Sequence, residues 1–238
     1  MDRFSRDSVG TSGSSRVQAG IQTFMANVYG WMAAGLFITA VVSYYVANSF
    51  TLIKLIYTIP YGTLILFGLQ LGLVWMIAGR IDKLSAEVAT GLFLVYSALT
   101  GVSLAPIFLI YTKSSIASVF AISAGTFGVM SLYGYTTKKD LSSWGSYLMM
   151  GLIGMIIATI GNVFFFKNTG LSMALPYIGV LLFVALIIYD TNKLRRMGEE
   201  LDGNEEAIRK YAVYGALSLY LDFINLFIYL LRILGNRR

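Results

Sequence analysis

Apolar positions in this chain come in long unbroken runs rather than alternating with polar ones. Residues 17–53, 55–79, 88–112, 114–137 and 141–166 contain no Asp, Glu, Lys or Arg. Residues 168–192 contain one such group, Asp190, and residues 211–231 contain one, Asp222. Each run meets the length of about 20 apolar residues that a helix needs to cross a bilayer. Lipid offers the backbone no hydrogen-bond partners, so runs of this kind are helices. The absence of alternation argues against a membrane β-barrel. The pattern predicts an all-α integral membrane protein with seven spans, near 24–47, 53–78, 87–110, 115–136, 145–166, 171–192 and 212–234.

Composition agrees. Of 238 residues, 57% are hydrophobic and 13% charged, against about 25% charged in an ordinary soluble domain. This excludes a soluble enzyme. The chain has no cysteine and no histidine. Disulfides, thiolate zinc sites, His-based nucleophilic catalysis, haem ligation and the usual physiological pH switch are therefore excluded. The remaining chemistry belongs to carboxylates, hydroxyls, amides, Lys and Arg.

The net charge of +6 is not a nucleic-acid signal, because the basic residues fall in short clusters between apolar runs. Their distribution instead sets an orientation. Arg3, Arg6, Arg16, Arg80, Lys83, Lys138, Lys139, Lys193, Arg195, Arg196, Arg209 and Lys210 fall on one side. The opposite loops hold only Lys54, Lys113 and Lys167. The N-terminus is expected in the cytoplasm and the C-terminus outside, with Arg237 and Arg238 weakly opposed. Residues 1–20 read as a disordered cytoplasmic tail, since they are small and polar at their start, and 21–238 as a single seven-helix domain. No signal-peptide pattern is present in the tail. Asp202-Gly203 reads as a turn that starts the helix running into the last span.

Asp190 and Asp222 are the candidate site. An ionisable group inside the membrane costs on the order of 2.5–3.5 kcal/mol by insertion scales and is a functional candidate by default. Asp190 could instead sit at the cytoplasmic interface, since Lys193 follows within a turn. Asp222 has no such escape, lying about 18 Å along the helix from Lys210. Spans six and seven are antiparallel neighbours in sequence, and modest tilt can bring the two carboxylates together. Two carboxylates in contact should share a proton and titrate as a pair. Asn225, three residues beyond Asp222 on the same face, is placed to hydrogen-bond it.

Gly68 and Gly72 form a GxxxG, and Gly30/Ala34 and Ala121/Gly125 are looser small-residue pairs. Internal bundle packing is the first expectation for them, ahead of a dimer seam. Pro60 and Pro106 should each free a carbonyl one turn back and bend their helices.

The segments LTGVSLAPIF (99–108), SLYGYTTKKDLSS (131–143), IIYDTNKL (187–194) and LYLDFINLFIYLLRILG (219–235) resemble the Bax inhibitor-1 family, in its bacterial inner-membrane branch. The resemblance covers the chain from about residue 20. It implies a seven-helix bundle with the last helix central, in the bacterial inner membrane. It also implies a pH-sensitive calcium leak closed by an aspartate pair, whose members match Asp190 and Asp222. A basic residue at the end of span two ties to that pair in the family, and Arg80 is the candidate here.

The leading expectation is thus a passive calcium or cation leak, with the lipid bilayer and calcium as partners and no nucleic acid. Calcium enters as a permeant ion held weakly at Asp190 and Asp222, and no resident cofactor is expected. Two carboxylates with Asn225 and water are too few ligands for tight binding, and conduction requires weak binding. A regulator of another membrane protein or a proton-coupled transporter is the alternative. An intramembrane aspartyl protease is disfavoured, because its second aspartate follows Gly-x-Gly whereas Asp222 follows Leu219-Tyr220-Leu221. The chain is not expected to be an enzyme.

Overall fold

The computed structural model describes residues 3–59, 61–201 and 205–238. Among these, nine α-helices follow one another: α1 (Arg3–Ala47), α2 (Phe50–Thr58), α3 (Gly62–Arg80), α4 (Ala86–Leu104), α5 (Ile107–Ile110), α6 (Lys113–Thr136), α7 (Trp144–Gly161), α8 (Thr169–Glu200) and α9 (Glu205–Leu234). Seven helical segments are long and apolar enough to cross a membrane, and they match the seven expected from charge-free runs.

The boundaries differ in informative places. α1 continues back to Arg3, where a disordered tail over 1–20 was expected; once nucleated by the span, a helix extends at little cost. The second crossing begins at Gly62 rather than near residue 53. Residues 50–58 form the separate α2, capped by the Ser49 hydroxyl accepting from the Leu52 amide at 3.4 Å. The break is built from Tyr61, held left-handed at φ 63°, and Gly62, where a Cβ would stand 2.5 Å from the Ile56 carbonyl oxygen. Pro60 and the Asp202-Gly203 turn lie outside the described residues. Pro106 behaves as its chemistry requires: α4 stops at Leu104, and a single turn, α5, restarts beyond it.

α9 stands at the centre. It packs against α8, α1, α6 and α4, and half of its most apolar stretch is buried, more than in any other span. Ala212, Ala216, Leu219, Tyr220, Phe223 and Leu226 are buried along one face, and Val213, Leu217 and Ile224 on one flank with Gly215 and Asp222 on the other widen the buried arc past half of its circumference, as a central helix requires. α3 is the opposite case. Ile77 alone is buried, while Phe67, Leu71 and Trp75 are more than half exposed. That surface suits lipid and would be untenable in water.

In lipid, helices gain little from hydrophobicity and rely on close approach. The glycines that permit it are not the expected ones. A Cβ at Gly30, Gly68, Gly72 or Gly125 would meet nothing within 4 Å, so these small-residue pairs do not serve packing within this chain. Gly101 does: its Cβ would lie 2.7 Å from the Thr39 carbonyl oxygen, joining α4 to α1. Gly134 of α6 abuts the Ile188 carbonyl of α8 more closely still.

Both ends of α9 are tied down. At one end Lys210 donates to the Asp82 carbonyl at 3.2 Å and Tyr211 donates to the Asp82 carboxylate. At the other, the Thr112 amide donates to the Asn236 carbonyl at 3.1 Å and the Arg238 amide to the Ile110 carbonyl at 2.9 Å. The Asn236 amide adds a bond to the Ser115 hydroxyl at 2.9 Å.

Candidate functional site

Asp222 sits midway along the central helix and is 5% exposed. Its Oδ2 is buried and has no hydrogen-bond partner. Asp190, half-buried on α8, lies close enough for its charge to act on Asp222. The structure thus brings together the two carboxylates isolated by the charge pattern. The cation whose charge acts on Asp190 is Lys193, one turn further along α8. The Lys193 ammonium lies 5.9 Å from the ring centroid of Tyr214 on α9.

Two sequence-based assignments need correction. Arg80 is exposed at the end of α3 and makes no ion pair with either aspartate among the described residues; its guanidinium lies 5.0 Å from the Trp75 ring centroid. At this end of α3 the inward positions are taken by Ile77 and Ile81, and Arg80 between them is left exposed. Asn225 does share a face with Asp222, but its amide donates to the Leu221 carbonyl at 2.8 Å instead of to the carboxylate. A backbone carbonyl one turn back is within reach of a helical Asn.

A set of hydroxyls and one amide fixes α8 just beyond Asp190. Tyr29 and Ser131 share a hydrogen bond of 2.6 Å, and Ser131 bonds Thr191 at 3.1 Å. The Asn192 amide donates to the Gly134 carbonyl at 3.1 Å. Thr191 and Asn192 are both buried. α8 is thereby held to α1 and α6 at the two residues that follow Asp190. The sequence singles out none of Tyr29, Ser131, Thr191 and Asn192, because hydroxyls are common in apolar spans and nothing in their spacing marks which ones meet.

A second polar cluster lies on the other side of α9. Tyr220 bonds Thr39 at 2.6 Å, Thr39 donates to the Ser97 carbonyl at 2.8 Å, and the Gln70 amide donates to Thr100 at 3.2 Å. Two residues along a helix turn the side chain by about 200°, so this cluster points away from Asp222.

Among the described residues no group of three or more carboxylates gathers to hold a metal. Asp190 and Asp222 supply at most four oxygens, short of the six to eight that calcium takes in a resident site.

The chain matches the family model described as inhibitor of apoptosis-promoting Bax1 over residues 21–238. It is 53% identical to the inner membrane protein YbhL of Escherichia coli strain K12, over the full length of both chains. An uncharacterized protein of Borreliella burgdorferi is 47% identical, over 90% of this chain and 92% of its own. The uncharacterized protein RP147 of Rickettsia prowazekii is 42% identical, over 96% and 95% respectively.

Proposed function

The chain belongs to the Bax inhibitor-1 family, and from that premise we propose that it is a passive calcium or cation leak of the inner membrane, closed by acid at the Asp190–Asp222 pair. The observation that carries the reading is Asp222: a buried carboxyl with one oxygen unpartnered, whose charged neighbour is another carboxyl. A buried ion without a counter-charge is costly, and a proton shared across the pair removes the repulsion. Sharing it draws α8 and α9 together. Losing it sets two like charges against each other between the two helices and parts them.

Lys193 biases this equilibrium toward the ionised form, because a nearby cation favours carboxylates. With only two carboxylates, calcium is held weakly and released readily, as conduction requires. The full-length likeness to an inner membrane protein supports the location. The twelve-to-three distribution of basic residues supports a cytoplasmic N-terminus, which puts the pair nearer the inner face. No step of this reading involves catalysis.

The test is calcium flux into liposomes holding the purified protein, measured from pH 5 to pH 8. Flux should rise with pH in the wild type. Flux indistinguishable from empty liposomes at every pH would overturn the leak, and flux independent of pH would overturn the gate.

A further inference from the structure

On the side of the 138–143 loop, a cleft of about 250 Å³ opens between that loop and the last three turns of α8. It is too small for a drug-sized ligand, whose sites begin near 300 Å³, but it suits a head group. Leu141 and Met197 give its lining an apolar part, and Ser142, Lys193, Arg196 and Glu200 give it a polar one. Trp144 and Tyr147, 49% and 71% exposed, stand beside it where α7 begins. Aromatic residues placed so mark the depth of lipid head groups.

The charges in this cleft are not matched to one another. Arg196 has Glu200 one turn ahead on the same helix, yet it pairs at 2.9 Å with Asp140 on the loop. Glu200 is left without an ion pair among the described residues, and so is Lys193. These two lie seven residues apart, about 10 Å along the helix, too far to pair directly. One cleft therefore presents two cations at its inner end and an unmatched carboxylate at its outer end.

We propose that the cleft binds the head group of a phosphatidylethanolamine from the adjoining leaflet, with its phosphate on Lys193 and Arg196 and its ammonium on Glu200. The guanidinium gives an Nη1 donor to Asp140 and an Nη2 donor to the Lys139 carbonyl at 3.5 Å, and keeps further N–H donors on the same planar fork for a phosphate oxygen. Basic pockets between membrane helices are known seats for phospholipid head groups. A wholly anionic head group satisfies the two cations but repels Glu200 and Asp140. A choline head group reaches Glu200 with methyl groups and cannot donate to it. The zwitterion with a primary ammonium fits both ends. This binding goes beyond the leak reading and does not depend on ion conduction.

Native mass spectrometry of the purified full chain in detergent tests it, with phosphatidylethanolamine, phosphatidylcholine and phosphatidylglycerol added in equal amounts. The wild type should retain phosphatidylethanolamine at least fivefold over the other two. Glu200→Gln should lower phosphatidylethanolamine to the phosphatidylcholine level without changing the latter. Lys193→Gln combined with Arg196→Gln should lower all three, while Arg196→Lys keeps the preference and controls for folding. Equal retention of the three lipids, or preference for phosphatidylglycerol, would overturn the proposal. Displacement of the lipid by chain-free phosphoethanolamine at equal concentration would overturn a lipid source in favour of a soluble phosphate ester.

Discussion

Lys193 follows Asp190 by one turn of α8, and its ammonium rests against the ring of Tyr214 on α9, the helix that carries Asp222. The cation nearest the acidic pair thus comes from the same helix as one of its members and touches the helix of the other. Arg80, the basic residue at the end of the second span, turns instead to Trp75.

The first prediction follows from that placement. Removing a cation that favours the ionised pair lets the pair keep its proton to higher pH. Lys193→Gln should therefore move the midpoint of calcium flux upward, by about half a pH unit given partial screening by water. Arg80→Gln should leave the midpoint where it is. A shift with Arg80→Gln and none with Lys193→Gln would reverse the assignment.

Asp190→Asn and Asp222→Asn each remove one partner of a shared proton. Either change should flatten the pH dependence of flux, and the double variant should add nothing beyond the singles. Flux measured in all three variants at matched protein density decides this. Independent, additive pH responses would exclude a shared proton.

Asp140 provides a contrast. It is fully exposed, and the Ser142 backbone amide, assisted by Arg196, holds its carboxyl below the usual range. A carboxyl lowered in the folded state loses its contribution only as pH falls through that lowered value. The tie between Asp140 and Arg196 therefore does not titrate with the gate. Asp140→Asn should leave the flux profile above pH 5 unchanged, and a displaced midpoint would show that the loop is coupled to the pair.

Two glycines should respond oppositely to the same change. A methyl at Gly134 would be driven into the Ile188 carbonyl of α8, so Gly134→Ala should cost about 1–3 kcal/mol by overpacking. A methyl at Gly68 meets open space, and Gly68→Ala should be neutral or stabilise by up to about 1 kcal/mol. Thermal unfolding in detergent, followed by circular dichroism, compares them. Destabilisation at Gly68 would mean that the open face of α3 packs against something in the folded protein.

The sequence by itself determined the class of this protein, the number of its crossings and the pair of residues worth mutating. Lipid makes this possible: each crossing must satisfy its own backbone, so length and freedom from charge identify a span without knowledge of its neighbours. An aspartate inside such a span is conspicuous for the same reason. What remained undecided was the rotation of each helix about its axis. Spans that are apolar on every side carry no stripe to show which face turns inward, as α3 illustrates. Only packing chose Gly134 and Gly101 over Gly68 and Gly72 and brought Tyr29, Ser131 and Thr191 together. Each of these depends on where two side chains from distant parts of the chain meet, and that is set by the fit of whole helix surfaces.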